Sequence, residues 1–158
     1  MRILSLIALA FAFFHCSKDK GNTGNMNDES PSQGLRVTSV SVSGNANEYT
    51  FSVTLASPDT GCDQYADWWE VIDGEGNLVY RRILAHSHVN EQPFTRSGGP
   101  VRIGAATQVY VRGHMNNSGY SDQVWIGSAE GGFTAGELDT DFAQELEDAD
   151  PLPSGCTF

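Results

Sequence analysis

The sequence predicts an all-β fold: two antiparallel sheets packed as a sandwich, followed by an irregular acidic C-terminal extension. Three observations predict it. From Leu35 onward apolar side chains recur with a period of two, the spacing that puts one face of a strand on a core. Clusters of Gly, Pro, Asn and Asp interrupt that pattern at short intervals, as turns between strands do. No stretch in the folded part carries a convincing helical period, and 17 Gly with 6 Pro favour turns over long helices.

Taken in order, residues 1–15 read as a targeting segment. Arg2 supplies the positive start, and the apolar run Ile3 to Phe14 has signal-peptide length but is too short to span a bilayer comfortably. Cys16 follows, then a polar stretch over 16–33 that reads as a flexible tether. The hydrophobic run ending at Phe14-His15-Cys16 resembles a bacterial lipoprotein signal of the relaxed type. The resemblance implies that Cys16 is lipidated, that the chain is held at a membrane through that lipid, and that it resides in the bacterial cell envelope. An outer-membrane lipoprotein, periplasmic or surface-exposed, is the expected form, and Ser17-Lys18-Asp19-Lys20 is similar to a surface-export tag.

The folded part begins at residue 34. Leu35 and Val37 stand in one phase and Val40 and Val42 in the other, so a bulge near Thr38 and Ser39 reconciles them. Tyr49, Phe51, Val53 and Leu55 alternate cleanly with polar residues, and Ser57-Pro58-Asp59-Thr60-Gly61 ends that strand. Ala66 to Ile72 and Leu78 to Leu84 form a hairpin around Asp73-Gly74-Glu75-Gly76-Asn77. Further strands are expected at Pro100–Gly104, Gln108–Met115 and Gln123–Gly127, making seven. The domain is expected to span 34–129, and 130–158 to be the extension. Its stretch from Glu130 to Pro153 holds eight acids and no Lys or Arg, a solvated strap with one helical turn around Phe142 to Leu146. Asp139-x-Asp141 is no EF-hand loop, because Gln144 stands where the required Gly would be.

The strand rhythm over Leu35 to Ser128, with a Trp in the third strand and the segment Gln108 to His114, resembles a fibronectin type III or immunoglobulin-like domain. An antibody-type inter-sheet disulfide is absent, since Cys62 precedes the Trp strand and Cys156 follows the last strand. The stretch Cys62 to Tyr120 also resembles an uncharacterised family of bacterial exported proteins, which implies no activity. With Cys16 lipidated, Cys62 and Cys156 remain as one disulfide that pins the extension, or as two unpaired thiols. Closing a loop of about 95 residues is worth roughly 4–5 kcal/mol in the chain-entropy model.

Nine basic against 20 acidic side chains leave a net charge of −11, which argues against nucleic acid or an anionic membrane surface as the main partner. The most unusual segment runs from Ala85 to Pro100. His86 and His88 project to one face of an extended chain about 7 Å apart. With His114 they form a candidate copper or zinc site, Glu91 or Asp122 standing by as a further ligand. The alternative is structural histidines bonded to loop carbonyls. Arg96-Ser97-Gly98-Gly99-Pro100 suits either an anion-holding loop or a turn from one sheet to the other.

Arg81, Arg82, Arg102 and Arg112 have Asp67, Glu70 and Asp73 as cross-strand partners, read as ladders on an exposed face. Trp68 or Trp69, Trp125, Tyr80 and Tyr110, set among Arg96, Arg112 and acids, form a candidate platform for a glycan or peptide. At least one of the two tandem tryptophans belongs in the core. Ser87 lacks a nucleophile setting, and a metal-assisted hydrolase built on His86, His88 and Glu91 is the one enzymatic option, so no enzyme is expected. The leading expectation is a lipid-anchored binding module for a glycan, peptide or envelope protein partner, without a cofactor. A copper- or zinc-binding periplasmic protein is the alternative, and an accessory domain that only stabilises a complex is the third.

Overall fold

The computed structural model describes residues 34–157. The expected signal segment, the lipidation site Cys16 and the tether to residue 33 lie outside the described residues. In chain order the strands are β1 (Arg36–Ser43), β2 (Tyr49–Ala56), β3 (Ala66–Asp73), β4 (Leu78–Ile83), β5 (Phe94–Val101), β6 (Val109–Met115), β7 (Gly119–Tyr120), β8 (Gln123–Ser128) and β9 (Gly132–Glu137). One 3-10 turn, Gln144–Asp148, follows. The smaller sheet has the order β1-β2-β5 and the larger β4-β3-β6-β8-β9, with β7 paired to β6. All the pairings are antiparallel. Strands one, two and five against three and six is a distribution that immunoglobulin constant-type domains also have; here the fourth strand joins the larger sheet instead.

Alternation decides which side chains meet between the sheets. Phe51, Val53 and Leu55 of β2 and Phe94 and Val101 of β5 face Trp69 and Val71 of β3 and Val109 and Val111 of β6, all essentially closed to solvent. The register of β1 on β2 shifts between Val37 and Ser39, so the two phases read in that segment are joined by the expected bulge. Two glycines are required by close packing. A Cβ on Gly127 would overlap the Gly132 carbonyl oxygen, and one on Gly99 would sit 2.6 Å from the Tyr49 carbonyl oxygen.

Several segments differ from expectation: pairing ends at Val101, so no strand spans Pro100–Gly104, and the described residues hold nine strands where seven were expected. Phe94–Val101 is one continuous strand on β2, so Arg96-Ser97-Gly98-Gly99-Pro100 is neither an anion-holding loop nor the inter-sheet turn. The crossing is made instead by residues 84–93. The larger sheet also runs on to Glu137, because β9 pairs with β8 through a short Gly-containing turn, which carries the sandwich past the expected boundary at 129.

The acidic strap is not solvated throughout. It lies over the outer face of the larger sheet, where Ile72, Ala143 and Leu146 bury a second, smaller cluster with Leu78, Tyr110, Phe142 and Ala149. Cys62 and Cys156 form the disulfide, with Cα atoms 5.6 Å apart.

Candidate functional site

The outer face of the larger sheet carries a row of alternate residues from three strands. Glu70 of β3 stands opposite Arg81 of β4 and Arg112 of β6. These pairs are closed off, not exposed ladders: Glu70 is 0% exposed, Arg112 1% and Arg81 5%. Arg81 donates to Oε2 of Glu70 from Nε (2.8 Å) and Nη2 (2.6 Å), and Arg112 donates to Oε1 from Nε at 2.8 Å. Two guanidiniums around one carboxylate leave donors over, and backbone carbonyls of the strap take them. Arg81 reaches the carbonyls of Leu146, Ala149 and Pro151, and Arg112 those of Phe142 and Ala143. The strap is thus held through its backbone while its acidic side chains stay largely outside.

Next to this row, Trp68 packs against the Arg81 guanidinium at 4.4 Å and flat on the His114 ring at 3.6 Å. His114 Nδ1 lies 2.7 Å from Oδ1 of Asp67, and its Nε2 lies 3.7 Å from Oε1 of Glu147 on the strap. Tyr120 closes the group beneath Arg112 at 3.4 Å, and burial raises its phenol pKa. His114 is a structural histidine with a partner.

The expected aromatic platform is therefore not formed. Trp68 is 3% exposed and Arg112 is sealed beneath the strap. Trp125 is half-buried, its indole N–H donated to the Val37 carbonyl at 2.8 Å. Tyr80 packs on Trp69 of the neighbouring strand and reaches Gly98 of β5, and Tyr110 packs on Phe142. Trp69 is the core tryptophan, but Trp68 is not the exposed one. Of the six expected ligand-binding residues, Arg96 is the one that reaches an open site.

The three-histidine metal site is not formed either. The ring contacts of His114 are Asp67, Trp68, Tyr120 and Glu147, whereas His86 and His88 contact each other, Phe94 and Asp59, and the two sets share no residue. Among the described residues no group of three or more His, Cys, Asp or Glu is placed to hold a metal ion.

One hollow, of about 430 Å³, lies beside His114, Asn116 and the strap's Glu147 and Asp148, and a pair lies at the crossing loop, residues 84–93, with its neighbours on β4 and β5. Asp59, in the turn after β2, fixes the crossing loop. This buried carboxylate accepts from the Ser57 hydroxyl (2.6 Å), the Ala66 amide (3.0 Å), the His88 amide (2.7 Å) and the Ser87 hydroxyl (3.4 Å). Gln92 adds bonds to the Ser57 hydroxyl and the His88 carbonyl. Asp59 went unread in the sequence, where it was one acid in a strand-ending turn; its place before a His-x-His segment 27 residues later carries no period.

The loop so held buries the His88 ring flat on Phe94, with centroids 3.7 Å apart and planes 8° apart. His88 is 3% exposed, and neither ring nitrogen has a hydrogen-bond partner. Asp59 Oδ2 stands 3.8 Å from its Nδ1, beyond hydrogen-bonding range. Burial lowers the His88 pKa first, and the positive fields of Arg96 and His86 lower it further, against Asp59 and Glu91. Arg96 holds Glu91 through two bonds, 2.7 and 3.0 Å, which keeps the Glu91 carboxyl below its ordinary range.

Two hollows border the loop. One, of about 230 Å³, is lined by His86 through Glu91; the other, of about 120 Å³, is lined by residues 82–86 with His88 and Arg96. His86 and His88 line both. Arg82 is exposed at the rim of the second.

The chain is similar to a protein of Halomicrobium mukohataei named "Putative lipoprotein", with 40% identity over 114 residues. The match takes in 72% of this chain and 55% of that protein, so the chain spans about half the length of the relative it matches. No family model matches the chain, and no solved structure matches it.

Proposed function

We propose that the chain is a lipid-anchored binding module of the cell envelope, without catalytic activity, and that it recognises its ligand with the crossing loop between β4 and β5. One observation carries the recognition site. Two hollows meet at His86 and His88, and the exposed His86 and Arg82 stand at their rims with Arg96, so a polar recess opens on a loop that Asp59 fixes. The lysine- and arginine-poor chain has few positive surfaces, and this loop gathers Arg82, Arg96 and His86 at one of them. The anchor is supported by the Cys16 segment and by the name of the Halomicrobium relative. The expected fibronectin type III or immunoglobulin likeness suits a display scaffold, in which a rigid sandwich presents a loop.

The test screens wild type and an Arg82→Gln/Arg96→Gln variant against glycan and peptide arrays. Ligands retained by wild type and lost by the variant support the loop; identical profiles refute it. Labelling with a palmitate analogue should mark wild type and leave Cys16→Ser unmarked.

A further inference from the structure

We propose that the paired hollows at the crossing loop form a carboxylate-binding site, in which Arg82, Arg96 and His86 receive one acidic group of the ligand above the buried His88. This rests on the reading of that loop as the recognition surface and names the chemistry it takes. The surroundings point to an acceptor. The two His88 ring nitrogens are sealed from solvent, so the donors that face the hollows are those of the exposed His86 and Arg82 and of Arg96. Arg82 adds an exposed guanidinium at the rim, and His86 lies 4.5 Å from His88, centroid to centroid.

The loop also carries a stand-in for such a ligand. Glu91 lines the larger hollow and places its carboxylate on Arg96 in a two-bond fork, with the Glu91 side chain 56% exposed. An incoming carboxylate meets the same fork once Glu91 swings into solvent, which its exposure permits. A phosphate dianion is disfavoured relative to a single carboxylate, because the buried Asp59 carboxylate stays beside the site when Glu91 swings out. The hollows are smaller than the roughly 300–1,000 Å³ of drug-sized pockets, which suits a single terminal acidic residue. The carboxylate can belong to a uronic acid or to a peptide C-terminus, and the experiment separates these.

The full chain, labelled with ¹⁵N and held in detergent micelles, is titrated with galacturonate and with an N-acetylated dipeptide bearing a free C-terminal carboxylate. Galactose, the amidated dipeptide and inorganic phosphate serve as comparisons. A saturable shift of the His86 ring nitrogens by either acid is expected, and which acid produces it identifies the source. Arg82→Gln and Arg96→Gln should each weaken that binding about tenfold, as loss of a charge-assisted bond does. Glu91→Gln should tighten it several-fold. Saturable binding of galactose or the amidated peptide at the same loop, with the acids no better, overturns the carboxylate and leaves the recognition loop standing. Preference for phosphate overturns the carboxylate as well. No saturable binding by any of the five overturns both.

Discussion

Histidine and arginine meet in two regions of this molecule, and the two are built in opposite ways. Under the strap, Glu70, Arg81 and Arg112 are fully buried, yet the carboxylate has its donors and the guanidiniums have the strap's carbonyls; His114 beside them is bonded to Asp67. At the crossing loop, His88 is as deeply buried but has no hydrogen-bond partner at either nitrogen, while Arg82 and Glu91 reach solvent. A closed and satisfied polar group locks one arrangement of the fold. The crossing loop is fixed by Asp59 and borders open hollows, and it is the surface proposed for recognition.

The largest effect should come from breaking the closed region. Glu70→Gln leaves two buried guanidiniums without their counter-charge, and unfolding in urea should show a loss of about 3–5 kcal/mol. Replacing Glu70, Arg81 and Arg112 together by Leu, Met and Leu removes the uncompensated charge but takes the donors from the strap carbonyls, so the sandwich should recover much of the loss while the strap loosens. If the triple variant is the less stable of the two, the row contributes net stability of its own.

The disulfide is next. Replacing Cys62 and Cys156 by Ala should lower stability by about 2–4 kcal/mol, since the loop it closes spans 94 residues. The strap should nevertheless stay docked, because Arg81 and Arg112 grip carbonyls from Phe142 to Pro151, upstream of Cys156. Hydrogen exchange checks this at the Leu146 and Ala149 amides, both bonded within the strap. Free exchange there in the variant would assign the docking to the staple instead of the arginines.

Smaller still is Trp125→Phe. It removes the one bond between the indole and the Val37 carbonyl while keeping most of the apolar contact, so a loss of about 1 kcal/mol is expected by thermal unfolding. This residue also marks how far the sequence could be read. Period-two alternation is a property of each strand alone, so β1 with its bulge, β2, the β3–β4 hairpin, β6 and β8 were legible from Leu35 onward. β9 was not, because Gly-Phe-Thr-Ala-Gly-Glu has little apolar alternation and forms on β8 as a template. Exposure of the aromatics was illegible for another reason. Whether Trp68 and Arg112 see solvent depends on a strap some 30 residues downstream of Arg112, whose grip runs through backbone carbonyls that look alike in any sequence. The His-x-His segment stood out as unusual, but that His114 belongs to a different neighbourhood follows from three-dimensional contacts alone.

The smallest effect tests the open region. Unfolded, the His88 imidazole titrates near 6.5; folded, burial foremost and then Arg96 and His86 hold it lower. Between the two values the unfolded chain binds more protons than the folded one, so stability rises with pH across that window. The contribution is complete above about 6.5 and is lost as pH falls toward the folded value. Denaturant midpoints for wild type should therefore decline below about pH 6.5, before carboxylates begin to titrate, and His88→Leu should flatten that part of the curve. Leucine keeps an apolar contact on Phe94 and removes two unpartnered nitrogens, so at pH 7.5 the variant should match wild type or exceed it slightly. A marked loss at pH 7.5 would mean that the ring already has a partner inside the fold, and the contrast between the two regions would close.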